Sequence, residues 1–206
     1  DERQWSWMDE GLNTFMQYLS EQEFERDYPS GRGEAHKIVD YMAGDKTKMS
    51  PIMVNPESAY QLGNNAYGKP ATALNILRET IMGRELFDYA FKEYARRWAF
   101  KHPTPADFFR TMEDASAEDL DWFWRGWFYS TDACDISLDT VKWSVLNTEA
   151  AAAPKATSTT RKVPVAKPIL NNFDDISKIR NRSDKKITFA TDADKSLQDF
   201  YWNYDR

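Results

Sequence analysis

The chain has 206 residues, of which 41% are hydrophobic and 15% aromatic. This length allows one ordinary domain with additional segments, and the aromatic content is too high for a disordered chain. The net charge is −6, yet residues 154–190 hold nine basic and three acidic side chains, so the remainder is strongly acidic. An acidic body argues against nucleic acid as the main partner and suits cationic ligands, such as the free amino terminus of a peptide.

The single cysteine, Cys134, excludes an internal disulfide and a metal site made of several cysteines. No apolar run is long enough to span a bilayer, and no signal peptide is visible. Because Asp1–Gln4 do not resemble a natural start, we expect the chain to be part of a longer protein. Its compartment therefore stays open between the cytoplasm and the cell envelope, including the periplasm.

Residues 5–24 are predicted to form a long amphipathic helix. Its apolar residues recur mostly at spacings of three and four: Trp7, Met8, Leu12, Phe15, Met16 and Leu19. Glu10 lies three residues after Trp7 and four before Thr14, beside the apolar stripe, where an unpaired carboxylate is costly. Glu10 is then either a solvated charge that favours the helix dipole or a carboxylate with a cationic partner, namely Arg, Lys or a metal.

The Pro and Gly residues of Asp27–Gly33 end this helix. Apolar periodicity predicts further helices over 34–43, from Lys69 to Gly83, over 84–100, over 104–112 and from Ser116 to about Tyr129. Pro70 suits a first helical turn, and Thr104 suits an N-cap. Ser116, with an acidic residue three positions on, resembles a capping-box start. Residues 46–57, with two prolines, are predicted to be a loop pressed onto the body.

The pattern changes after Ser130. Alternating apolar residues at 136–145 predict a strand, and residues 186–190 predict another. The aromatic residues at 200–204 are expected to dock on the rest of the chain. The predicted organisation is a helical part at 1–133, a strand at 134–148 that leads to a β-rich module, a linker at 149–168 and an uncertain C-terminal segment at 169–206.

Asn64–Leu74 is a second informative stretch, with the sequence NNAYGKPATAL. Taken alone, it is typical of a turn at the start of a helix with a partly buried tyrosine, Tyr67. On the same basis, the Asp-Glu-Gly set at residues 9–11 is typical of a solvated helix start.

Both stretches resemble segments of the zinc aminopeptidases of the alanyl (membrane alanyl) aminopeptidase family, which are gluzincins. Trp7–Phe15 resembles the segment after the HExxH helix, which implies that Glu10 is the third zinc ligand. The turn at Tyr67 is similar to the family's Tyr-Glu-Lys-Gly-Ala turn, which implies that Tyr67 donates its hydroxyl to the oxyanion formed when water attacks the peptide carbonyl. A neutral phenol can stabilise that charge without binding the metal. Gly68 stands where Glu is usual, and Pro70 where Gly is usual.

A third segment, Asp107–Phe128, resembles the family's following helix pair, where the apolar residues serve packing. We therefore expect a core or subdomain interface made by Trp122, Phe123, Trp124 and Trp127. The three segments follow in family order at family-like separations over residues 5–138. The resemblance implies a mainly α fold, the helical C-terminal subdomain of a thermolysin-like metallopeptidase catalytic domain, with a short β-containing C-terminal extension.

A gluzincin also needs HExxH, which supplies two zinc ligands and the general base. His36 and His102 do not have this spacing, and we expect both on the surface or in loops. The resemblance places HExxH roughly eighteen residues before the third ligand, which is upstream of Asp1. We therefore expect zinc in the full-length parent, none tightly bound here, and no peptidase activity from this piece alone. Its partners would be the missing N-terminal part and peptide substrates.

Two alternatives stay open. The first is a non-catalytic relative that keeps the fold as a scaffold for protein interactions, which the departures at Gly68 and Pro70 allow. An intact upstream HExxH would favour the enzyme, and a degraded one the scaffold. The second is an unrelated helical binding module whose matches arise by chance. It predicts that Glu10 and Tyr67 do not face one cleft.

Overall fold

The structure, a computed structural model, describes residues 3–133, 138–143 and 175–204. The chain divides into two units, residues 1–133 with 174–206, and residues 134–173. Within the described residues all regular structure is helical, which confirms the mainly α fold. None of the helices described is both long and apolar enough to cross a membrane.

The first unit is built from helices of very different lengths. Its α-helices are α1 (Glu10–Phe24), α2 (Val39–Met42), α3 (Lys69–Ile76), α4 (Arg84–Trp98), α5 (Pro105–Ser116), α6 (Asp121–Phe128), α7 (Ile176–Ser183), α8 (Ala190–Ala193) and α9 (Lys195–Tyr204). Two π-helical segments, Gly63–Gly68 and Leu77–Ile81, extend α3 at its two ends. Short 3₁₀ turns precede α1 and α2 and interrupt the loop before the first π-helical segment, at Ser6–Met8, Ala35–Ile38, Lys46–Lys48 and Pro56–Ser58.

An aromatic core joins the start of α1 to α5 and α6. Trp7 is only 1% exposed, and its ring lies 4.7 Å from that of Phe128 and stacks on Phe109 at 5.8 Å. Phe109 in turn stacks on Trp124 at 4.6 Å. Aromatic pairs of this kind add stabilisation beyond the burial of their area. Trp7, three residues before Glu10, is therefore firmly packed in the core.

Two predictions about the α5–α6 region have different outcomes. Thr104 is the N-cap of α5, as predicted. It also forms a full capping box with Asp107, which was not predicted, and these hydrogen bonds hold the pKa of Asp107 below its usual value. The predicted helix start at Ser116 is wrong, because Ser116 is the last residue of α5. Ala117 follows in the left-handed conformation, at φ 58°, and ends the helix. Trp122 is 60% exposed and is not part of this core.

The strand predictions are not confirmed. Residues 186–190 do not form a strand, because Lys185 and Lys186 lie in a turn and α8 begins at Ala190. Residues 138–143 contain no strand either, and their apolar side chains are exposed. The rest of the predicted strand, the linker at 149–168 and Cys134 lie outside the described residues. The side chains of residues 200–204, expected to dock, also lie outside them.

The segment from Asp175 to Ala193 packs on the helical body mainly through polar and charged side chains. Asp175 accepts a hydrogen bond from the hydroxyl of Tyr18 at 3.2 Å, and Arg180 pairs with the fully buried Glu79 at 2.7 Å. Phe189 is buried beneath the guanidinium of Arg26, which lies 4.4 Å from its ring centroid. The C-terminal segment is thus part of the same unit as α1.

Candidate functional site

Glu10 is the first residue of α1. The side chains of Trp7 and Met8, in the 3₁₀ turn just before it, are both buried. The hydroxyl of Thr14 donates to the backbone oxygen of Glu10 at 2.6 Å, one turn further on. The Glu10 side chain is half-buried, at the boundary between the core and solvent. Its position is set by the aromatic anchors before it and the helix after it.

Gly11 allows α1 to approach the segment that carries Tyr67. A Cβ atom at this position would lie 2.6 Å from Cγ of Pro70 and 3.0 Å from the backbone oxygen of Ala66. Both distances are shorter than a normal carbon contact of about 3.5–4.0 Å. Because Gly11 has no side chain, α1 can pack closely against Pro70 and Ala66, and this brings Glu10 near Tyr67.

Tyr67 lies in the π-helical segment and is half-buried. The neighbouring Glu10 carboxylate is the main cause that raises the pKa of the Tyr67 phenol, and burial and the charge of Asp9 act in the same direction. The guanidinium of Arg32, 5.0 Å from the ring centroid, opposes this rise. Because the ordinary pKa of tyrosine is 10.0, Tyr67 is a neutral phenol at neutral pH. Glu10 and Tyr67 thus lie near each other.

The π-helical segment is held on both sides of Tyr67. The amide of Asn65 donates to the backbone oxygens of Ser50 at 2.8 Å and Pro51 at 3.0 Å. Lys69 is buried, and its ammonium donates to the backbone oxygen of Ser130 at 3.0 Å. Burial lowers the pKa of Lys69 to about 8. Single-turn π-helical segments are frequent at functional sites, where they aim a side chain away from the regular helical path.

The two departures from the family pattern have a place in this packing. Gly68 is buried, and a Cβ atom there would make a van der Waals contact of 3.4 Å with Cδ1 of Ile38. Pro70 fills the space opposite Gly11. With both departures in place, Glu10 and Tyr67 still lie near each other.

The structure also brings together a group that the sequence analysis missed. Carboxylate oxygens of Glu113, Asp119 and Asp121 lie within 4.8 Å of one another. One oxygen of Glu113 accepts from the backbone of Leu120 and from the indole of Trp124, both at 3.1 Å. Burial raises the pKa of Glu113. These bonds join α5 to α6, which explains the group without a ligand.

The two histidines are exposed, as predicted. His36 lies 3.3 Å from a carboxylate oxygen of Glu34, and neither His36 nor His102 belongs to a group of metal ligands with Glu10 within the described residues. A half-buried carboxylate beside a neutral hydrogen-bond donor suits a role as one ligand of a zinc ion. Two further ligands would have to come from outside the described residues.

Comparison with known proteins gives one match. The model of the peptidase family M1 domain matches residues 2–127, a range that includes Glu10, Tyr67 and the helices from α1 to nearly the end of α6. No curated protein and no solved structure matches the chain. Since the match covers more than half of the chain, this protein belongs to peptidase family M1.

Proposed function

We propose that this chain is the helical C-terminal half of the catalytic domain of a zinc-dependent aminopeptidase of the alanyl type, which removes N-terminal residues from peptides. The observation that supports this most directly is the close packing of Gly11 against Pro70 and Ala66, which brings Glu10 and Tyr67 near each other inside the M1 region. The resemblance gives these two residues separate roles, and the fold brings them together over 57 positions of sequence.

Glu10 would hold the zinc ion together with two ligands from an upstream HExxH segment. When bound, zinc would polarise the peptide carbonyl and activate the attacking water. The carboxylate of Glu10 is a suitable third ligand, because zinc accepts a carboxylate oxygen beside two histidine nitrogens. The close approach of Gly11 to Pro70 and Ala66 keeps the start of α1 packed against the segment that carries Tyr67.

Tyr67 would stabilise the charge that develops on the peptide carbonyl oxygen. Its raised pKa keeps the proton on the phenol at neutral pH, so the hydroxyl can donate. A donor that is already in position pays little reorganisation energy during the reaction. The bonds of Asn65 and Lys69 to the neighbouring loops hold the segment that carries this donor.

We also propose that this chain by itself holds no zinc tightly and has no peptidase activity, because Glu10 is one ligand of three. Metal analysis of the purified chain checks this. A stoichiometric zinc content would contradict it.

The proposed activity is tested in a longer protein that carries the upstream segment. We expect it to hydrolyse aminoacyl-amide reporters in a zinc-dependent manner. Glu10→Gln should lose zinc and activity together, whereas Tyr67→Phe should keep zinc and lower kcat by about 10²–10³-fold, the cost of removing one oxyanion donor. Tyr60→Phe, at an exposed tyrosine, is the matched control and should change neither.

Two results would contradict the proposal. Full activity of Tyr67→Phe would remove the oxyanion role. No hydrolysis by the folded, zinc-loaded protein on a broad reporter panel would favour the alternative function, a scaffold for protein interactions.

A further inference from the structure

Arg32 places a positive charge directly beside the candidate site. Its guanidinium lies 5.0 Å from the ring centroid of Tyr67. A Cβ atom on Gly63 would be 3.5 Å from Nη2 of Arg32, so the group also packs on the start of the π-helical segment. Arg32 is exposed to solvent. The guanidinium is therefore held against Tyr67 while its donors stay accessible.

Arg32 has no carboxylate partner among the described residues, unlike three of the arginines on α4 and the π-helical segment before it. Arg78 pairs with Asp88 at 2.7 Å, Arg84 with Glu79 at 2.9 Å and Arg97 with Glu93 at 2.8 Å. The acid nearest in sequence, Glu34, is only 3% exposed and pairs with Lys178 at 2.6 Å. It is thus engaged elsewhere.

The loop that carries Arg32 is fixed by close packing and by hydrogen bonds. Gly33 has φ 101°, and a Cβ atom there would lie 2.4 Å from Cγ of Tyr18, so the backbone lies directly on that ring. The backbone oxygen of Gly33 accepts from the amide of Asn75 at 3.1 Å. The backbone N–H of Ala35 donates to Asp175 at 3.2 Å. A fixed backbone reduces the entropy cost of binding through this arginine.

Arg32 also lines a cleft along α1 with a volume of about 220 Å³. The other walls of the cleft include Thr14, Gln17 and Glu21. Gln17 donates to Glu21 at 2.7 Å, so that carboxylate already has a donor. Thr14 lies one helical turn after Glu10. The cleft therefore begins one turn from the proposed zinc ligand and extends to the free guanidinium.

We propose that Arg32 binds a carboxylate group of the peptide substrate, next to the bond that is cleaved. A guanidinium presents its N–H donors in a planar fork that matches the two oxygens of a carboxylate. The carboxylate is either the C-terminus of a short peptide or an acidic side chain of a longer one. Arg32 then determines specificity and takes no part in the bond chemistry. This inference rests on the aminopeptidase function proposed above.

The test uses the longer, zinc-loaded protein and pairs of peptides that differ by one charge. Trialanine as the free acid is compared with its C-terminal amide, and Ala-Glu-Ala amide is compared with Ala-Gln-Ala amide. We compare native protein with Arg32→Gln, Arg32→Lys and Lys92→Gln. Lys92 is exposed on α4 and gives the same change of net charge away from the site.

We expect Arg32→Gln to lower kcat/KM for the carboxylate-bearing peptides about 10–100-fold, mainly through KM, as for loss of one hydrogen bond to a charged group. The neutral peptides should change less than about twofold. Arg32→Lys should lie in between, because it keeps the charge and loses the fork. Lys92→Gln should match native protein. A loss confined to free acids identifies the C-terminus as the ligand, and a loss confined to the Glu peptide identifies the side chain.

Equal losses of Arg32→Gln on charged and neutral peptides would overturn the inference, since they would indicate a general effect on Tyr67. Unchanged kinetics would overturn it as well. If native protein cleaves the peptides without any preference for a carboxylate, the inference fails while the aminopeptidase function stands. If native protein cleaves none of them, the proposed function fails first and the inference falls with it.

Discussion

Adding one methyl group at Gly11 should separate the two candidate residues. In Gly11→Ala the new Cβ atom would lie 2.6 and 2.8 Å from two ring carbons of Pro70 and 3.0 Å from the backbone oxygen of Ala66. A proline ring and a backbone carbonyl cannot rotate away, so α1 and α3 must move apart by roughly an ångström to restore a normal contact. Overpacking of this kind lowers the free energy of unfolding by about 1–3 kcal/mol, and the better helix propensity of alanine raises it by up to about 1 kcal/mol. The net expectation is a loss of about 1–2 kcal/mol.

Gly126→Ala is the matched control, because it adds the same methyl group to an exposed helical position with no heavy atom within 4 Å of the new Cβ. It should stabilise the protein by about 0.5–1 kcal/mol. Urea unfolding of both variants should therefore give shifts of opposite sign. Spectroscopic titration of tyrosine should also show the Tyr67 pKa falling towards its ordinary value in Gly11→Ala, as Glu10 moves away.

The packing argument would be refuted if Gly11→Ala were as stable as Gly126→Ala. A destabilised Gly11→Ala with an unchanged tyrosine titration would refute the second half of the argument, that Gly11 sets the distance between Glu10 and Tyr67.

Three other perturbations follow from the fold. Burial lowers the pKa of Lys69 from 10.5 to about 8, so between these pH values the unfolded state binds more protons and the stability of the native protein rises with pH. In denaturant unfolding, the free energy of unfolding of the native protein should rise by roughly 2 kcal/mol relative to that of Lys69→Met from pH 7 to 9.5. A difference between the two proteins that does not change with pH would contradict this. Glu79→Gln should cost about 3 kcal/mol, because the fully buried carboxylate pairs with three arginines; the exposed Glu118→Gln should stay within about 0.5 kcal/mol, and equal unfolding midpoints for the two would refute the expectation. Thr104→Ala should lose about 1 kcal/mol with the N-cap of α5, and an unchanged thermal midpoint would show that the capping box contributes nothing.

The helices could be predicted because their signals are local. The three/four rhythm of apolar residues located α1 and α4, and Thr104 marked the start of α5. The end of α5 escaped prediction because Ala117, with no glycine to signal it, takes the left-handed conformation. Residues 116–119 fit a capping box at the start of a helix as well as they fit the end of one. Only tertiary packing decides between these two structures.

Only part of the candidate site could be predicted from the sequence. Composition and spacing could not pair Glu10 with Tyr67, and the resemblance supplied that link. The Gly11–Pro70 contact that holds them is long-range and has no local pattern. The sequence did not identify Arg32 as a site residue, because an arginine in a loop with Pro and Gly is usually solvated. Only the position of its guanidinium over the Tyr67 ring distinguishes it.

The C-terminal segment was unpredictable for a related reason. It has little apolar periodicity, and it docks through ion pairs with partners far away in sequence, such as Glu79 for Arg180. Periodicity detects helices that bury an apolar face, and it misses those held by charge complementarity.

The docking of that segment has a consequence for the order of folding. The bonds of Asp175 to Tyr18 and Ala35 span 157 and 140 residues, and the pair of Arg180 with Glu79 spans 101. We expect contacts of such separation to form after the local helices, because a long loop must first be closed. During synthesis α1 to α6 can therefore assemble while the loop of Arg32 still lacks the hydrogen bond of Ala35 to Asp175, which forms only once Asp175 has emerged. Partial unfolding that begins at the C-terminal segment would remove the same hydrogen bond and leave the loop held by Tyr18 and Asn75.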